Sequence, residues 1–106
     1  MDLETYAFVL LRRPAGAPDY PELELERIQA GHLANLAALG EAGKLVAAGP
    51  FSEQPDEALR GLCIFATPIE EARELMSRDP AVLAGRLEVE VMTWWTERGS
   101  VSFQRR

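Results

Sequence analysis

The sequence holds one cysteine, one histidine and one lysine in 106 residues. The lone cysteine, Cys63, excludes an intrachain disulfide framework and a cysteine-cluster metal site. One histidine with no carboxylate pair beside it is a poor metal centre. No glycine-rich phosphate loop is present. Neither a metal nor a cofactor is therefore expected. No apolar run approaches the ~18 residues of a membrane-spanning helix. The start, Met1-Asp2-Leu3-Glu4, is acidic and lacks the basic opening of a signal peptide. A cytoplasmic location is expected. Basic side chains are outnumbered, 11 against 17, for a net charge of −6. That balance disfavours nucleic acid and anionic membrane as partners.

What remains is an ordinary globular composition. Hydrophobic residues at 47% supply enough apolar surface to exclude disorder. The length suits one domain, 1–106, with a core over about 5–95 and a polar tail over 96–106. Ten of the basic residues are arginine and alanine is abundant, which suits a GC-rich bacterial genome.

Punctuation divides the chain into six elements. Thr5 to Leu11 is a near-continuous apolar run, as in a strand buried on both faces. The Pro/Gly-rich stretch Pro14 to Pro21 is a loop. A helix is expected from about Glu22 to Ala42, closed by Gly43. Lys44 to Ala48 is a short strand stopped by Gly49-Pro50. Ser52 to Leu59 is a polar loop, and Gly61 to Ala66 a third strand. Thr67-Pro68-Ile69-Glu70 has the form of a capping box opening a second helix that runs to about Ser77. Asp79-Pro80 breaks that helix, a short turn follows, and Leu87 to Trp95 is the fourth strand. The order βαββαβ is the split, ferredoxin-like α+β arrangement: a four-stranded antiparallel sheet with two helices on one face.

Two helices cover only one face of such a sheet. Alternation sets Tyr6, Phe8 and Leu10 against Ala7, Val9 and Leu11, and Leu62 and Ile64 against Cys63 and Phe65, so whichever face the helices leave open is also apolar. A second copy of the chain is the simplest cover, so a homodimer is expected.

His32 falls within the apolar stripe Leu25, Ile28, Leu36 and Leu39 of the first helix. A buried imidazole must find a partner or line a cavity. A core histidine held by a backbone carbonyl is the plain alternative. Asp79, before Pro80, has the form of an N-cap, and a capping carboxylate can still accept from an imidazole. Such contact would fix the imidazole tautomer and favour the protonated ring. Gly49-Pro50-Phe51 closes a strand at the sheet or cavity edge. Arg12-Arg13 follow the first strand and could hold an anion at a cavity mouth, with plain solvation as the alternative. Trp94-Trp95 is an aromatic pair on opposite faces of the last strand, at least one of them expected in the core or a dimer interface. Cys63 reads as an inert small hydrophobe.

Together these pieces resemble the YCII-related (YciI-like) family. The resemblance rests on His32-Leu33-Ala34, on the run Gly43 to Phe51, and on Leu59-Arg60-Gly61. It continues through Glu70-Glu71-Ala72-Arg73, Asp79 to Val82, Ala84 to Leu87, and Trp94. It implies a dimeric α+β barrel and a His–Asp dyad, matched here by His32 and Asp79. Gly49, Pro50, Phe51 and Trp94 lie in the matching pieces, and with Arg13 they are the candidate substrate-binding residues. One subgroup has His-Pro before the late Trp, where this chain has Met92-Thr93; any role of that second histidine is missing here. The family includes dehydrochlorinases of chlorinated hydroxylated aromatics, and the same architecture hosts muconolactone isomerase-like enzymes. The expectation is a cofactor-free lyase or isomerase acting on a small cyclic compound. The alternative is a non-catalytic small-molecule-binding or accessory dimer.

Overall fold

The structure, a computed structural model, describes residues 1–103. The last three residues of the expected polar tail lie outside the described residues. The elements are β1 (Leu3–Arg12), α1 (Glu22–Glu41), β2 (Leu45–Pro50), β3 (Leu59–Phe65), α2 (Ile69–Ser77), α3 (Pro80–Leu83) and β4 (Glu88–Glu97). The strands form one sheet in the order β2-β3-β1-β4. Every neighbouring pair is antiparallel. This is the α+β order expected from the punctuation, with the turn after Asp79 wound into the one-turn helix α3. No helix among the described residues is long and apolar enough to cross a membrane.

Alternation along the strands sorts the two faces. Ala7, Val9 and Leu11 of β1 and Cys63 and Phe65 of β3 are buried beneath the helices. Ala72 and Met76 of α2 and Ala81 of α3 close the core above them. Ile28, Leu36 and Leu39 of α1 pack against this core while only half-buried. The opposite face keeps Tyr6 and Phe8 half-buried, so β1 is fully buried on one face only.

Three local expectations change. β2 runs on through Gly49 and Pro50, which pair with Leu62 and Gly61. β2 lies at the sheet edge, where a proline without an N–H is tolerated.

The capping box at Thr67 does not form. Pro68 is extended at ψ 157° and itself takes the N-cap position, with no side-chain cap. The helix then starts one residue later, so Glu70 falls at the second position rather than the third. The Thr67 hydroxyl donates instead to the Pro68 carbonyl at 3.0 Å. Thr67→Ala should therefore stay within about 0.5 kcal/mol of the parent by urea unfolding. A loss of about 1 kcal/mol, the usual cost of a lost cap, would show that the box is made in solution.

The segment after β4 folds back on the sheet. The Arg98 backbone N–H donates to the Asp2 carbonyl at 2.9 Å, and its guanidinium reaches the Asp2 carboxylate at 2.8 Å. The Gly99 N–H donates to the Glu4 carboxylate. Phe103 then meets the Tyr6 ring edge-on, with centroids 5.1 Å apart. The two apolar residues of the tail, Val101 and Phe103, thus line the open face of the sheet beside Phe8, Ile64 and Met92.

Candidate active site

Asp79 is placed by the residue after it. Pro80 disfavours helical geometry at Asp79, which stays extended at ψ 134° and caps α3. Its Oδ2 accepts the Ala81 backbone N–H at 2.9 Å. The same Oδ2 lies 2.9 Å from Nδ1 of His32, which α1 brings over from the other side. The Asn35 side-chain amide donates to Oδ1 at 2.8 Å. One carboxylate therefore holds α1 and α3 together. At Gly31 the two helices run close: a Cβ there would lie 3.1 Å from two ring carbons of Pro80.

Asp79 is 0% exposed and His32 7%. Burial pushes the Asp79 carboxyl up. The hydrogen bonds from His32 and Asn35, the His32 charge and the Ala81 N–H pull it down, and together they prevail, leaving it below its ordinary value. An ionised Asp79 requires the proton on Nδ1. Neutral His32 then carries its lone pair on Nε2. Nε2 has no protein partner among the described residues, yet no buried side-chain nitrogen or oxygen there is unsatisfied. It is therefore open to the cavity that His32 lines.

That cavity has a volume of about 490 Å³, within the ~300–1,000 Å³ of small-molecule sites. Leu25, Ile28 and Leu36 of α1 form its apolar side. Gly49 and Pro50 of β2 and Gly61 of β3 form the facing wall. Arg13, Arg60 and Arg86 also line it. Beneath the site lies Cys63, whose thiol is pushed up to about 12 by burial and by the Asp79 charge. It stays protonated and is no nucleophile.

The structure thus brings together His32, Asp79, Gly49, Pro50 and Arg13. It does not bring Phe51 or Trp94 to this cavity. The Phe51 side chain does not line it, and its backbone N–H is tied to the Arg60 carbonyl. Trp94 pairs with Tyr6 on the opposite face of the sheet, ring centroids 6.0 Å apart, and lines the second, apolar hollow there. Strand parity decides this: Tyr6 and Trp94 share a face, while Ala7 and Leu11 point to the helices.

Sequence reasoning missed Asn35, Arg60 and Arg86 as site residues. Asn35 sits three residues after His32, on the same helix face, and that spacing was the available signal. Arg60 and Arg86 lie in pieces that carry the resemblance, but no local spacing ties either one to His32.

Gly61 leaves no room for a side chain in the cavity wall. A Cβ there would lie 2.5 Å from the Gly49 carbonyl oxygen and 3.1 Å from the Pro50 Cα. Both are backbone atoms, so relief requires moving the edge strand. Gly61→Ala should cost about 1–3 kcal/mol by urea unfolding, as overpacking does. An unchanged midpoint would show that β2 shifts freely.

Fold and site together define a small βαββαβ domain with a helix-borne histidine, held by a buried aspartate, over a cavity. The chain belongs to the YCII-related domain family, whose model matches residues 6–95. Among solved structures it is similar to 5-chloro-2-hydroxyhydroquinone dehydrochlorinase from Burkholderia phenoliruptrix, in complex with 2,5-dihydroxybenzoquinone. The two are 26% identical with a TM-score of 0.50, over 83% of this chain and 92% of the other. No curated protein matches the sequence.

Proposed function

We propose that the chain is a cofactor-free lyase or isomerase that moves a proton on a small cyclic compound. The observation that carries the reading is the open Nε2 of His32, with Nδ1 committed to an ionised Asp79 2.9 Å away. Nε2 takes a proton from an acidic O–H or C–H of the substrate. The electron pair passes into the ring system. Either a leaving group departs with its bonding pair, or the imidazolium returns its proton to another carbon. Asp79 touches no substrate; it orients the ring and stabilises the imidazolium. The dehydrochlorinase likeness supports elimination from a hydroxylated ring as the first reaction to try.

The test is turnover of 5-chloro-2-hydroxyhydroquinone, followed by chloride release, with 2,5-dihydroxybenzoquinone as the binding probe. Chloride release above the uncatalysed rate supports the reading. Binding of the probe without turnover of this or related hydroxylated rings would leave a binding protein instead.

The proposal includes a homodimer joined through the open sheet face. Phe8, Leu62, Ile64, Met92 and Trp94 line a hollow of about 570 Å³ there, flanked by Val101 and Phe103. Light scattering should give twice the chain mass; a stable monomer at micromolar concentration would remove the dimer.

A further inference from the structure

Charge is distributed unevenly around the His32 cavity. The chain carries a net charge of −6, yet no aspartate or glutamate side chain lines this cavity. Three arginines do: Arg13 just after β1, Arg60 on β3, and Arg86 just before β4. They come from three separate stretches of chain, so local sequence bias does not explain the cluster.

Arg12 and Arg13 make the contrast plain. The Arg12 guanidinium is matched by two carboxylates, Glu90 at 3.2 Å and Asp56 at 3.4 Å. Arg13 has no carboxylate partner among the described residues; its Nε donates to the Arg86 carbonyl at 3.1 Å. Arg86 in turn donates to the Pro18 carbonyl. Arg60 donates to the Glu57 carbonyl, and the Glu57 carboxylate stands off at 3.8 Å, itself 93% exposed. Burial, and then the charges of Arg86 and Arg60, push Arg13 below its ordinary value. Arg86 and Arg60 therefore repel the Arg13 guanidinium, and no carboxylate among the described residues lines the cavity between them. Backbone carbonyls orient them without neutralising them, which leaves N–H groups free for a ligand.

We propose that Arg13, Arg60 and Arg86 form an anion-binding rim, and that the substrate is a small ring compound bearing a negatively charged oxygen group, carboxylate or ionised enol. The inference rests on the acid–base reading of the same cavity and names its substrate class. The rim holds the anionic group while the ring lies toward Nε2 of His32. It also meets negative charge that spreads into the ring as the proton leaves, a stabilisation aimed at the transition state.

The experiment is NMR titration of the wild-type protein with matched probes. Benzoate carries the anion and benzamide is its neutral counterpart; 2,5-dihydroxybenzoquinone supplies an ionised enol. Benzoate or the dihydroxybenzoquinone should shift resonances of residues around Arg13, Arg60 and Arg86 and bind about tenfold or more tightly than benzamide. Added salt should weaken the anions and leave benzamide unchanged. Arg60→Gln should erase most of the preference and Arg60→Lys should retain part of it. Arg60 is the variant of choice because its contacts are confined to the exposed Glu57.

Equal binding of benzoate and benzamide, with no preference for the dihydroxybenzoquinone, would overturn the proposal. So would an anion preference untouched by Arg60→Gln, or no binding of either anion. These outcomes are separate from turnover. An anion preference in a protein without proton-transfer activity would sink the acid–base reading and leave the anion site standing.

Discussion

Asp79→Ala should lower the unfolding free energy by about 3–5 kcal/mol, the cost of removing one partner from a buried charged or polar pair. Three donors lose their acceptor at once: His32 Nδ1, the Asn35 amide and the Ala81 N–H. Each buried donor left unmatched costs about 1–3 kcal/mol. The cavity beside His32 can admit water to some of them, which holds the total below the full sum. Against the ~5–15 kcal/mol of a typical domain, the variant would be marginal. Urea unfolding measures it, and a loss under about 1 kcal/mol would show that the carboxylate does not join α1 to α3.

The same group sets a pH dependence. Asp79 lies below its ordinary value in the folded chain, since its hydrogen bonds outweigh its burial. Its contribution is then fully present above the unfolded carboxyl value of about 3.9 and is lost as pH falls through the lower folded value. The parent should therefore lose stability below about pH 4 more steeply than Asp79→Asn, which has no carboxyl to protonate. Parallel acid profiles would contradict the assignment.

His32→Gln should reduce turnover by about 10²–10⁴-fold, the usual contribution of a general acid/base. Glutamine can still offer an amide N–H toward Asp79, so the loss of stability should be small beside that of Asp79→Ala. It cannot take up a proton near neutral pH. The effect should fall on kcat far more than on KM, since the arginines lining the cavity remain. Unchanged kcat in a folded His32→Gln protein would remove the acid–base role and leave the histidine as a support for α1.

Much of the architecture was legible because it is local. The apolar run of β1, the Pro/Gly loop before Glu22 and the break at Asp79-Pro80 each act within a few residues. Element ends were less legible. Pro68 is the clear case: the letters of a capping box are present, but Pro68 is extended and takes the cap position from Thr67. The backbone angle, which the letters do not state, decides between the two.

For the site, periodicity alone put His32 on the inner stripe, and Asp79 alone had the form of a cap. Their pairing was suggested by the family resemblance, not by spacing. Trp94 shows what strand pairing adds: it is a matching piece of the resemblance, and register with Tyr6 places it on the far face of the sheet, beside the apolar hollow there and away from the His32 cavity.

What the sequence by itself determined are the properties set by composition and near neighbours: an acidic chain, a βαββαβ order, an imidazole on a buried helical face and a carboxylate held extended before a proline. What only the tertiary structure decided is which of these groups meet. His32 and Asp79 are 47 residues apart. They touch where α1 passes over α3, with the bare Gly31 backbone set against Pro80. Arg13, Arg60 and Arg86 come together because β1, β3 and the approach to β4 open onto one cavity. Val101 and Phe103 cover part of the open sheet because Arg98 and Gly99 are anchored to the start of β1. Each of these is a contact between distant segments, and its energy exists only once the chain has closed the loops between them.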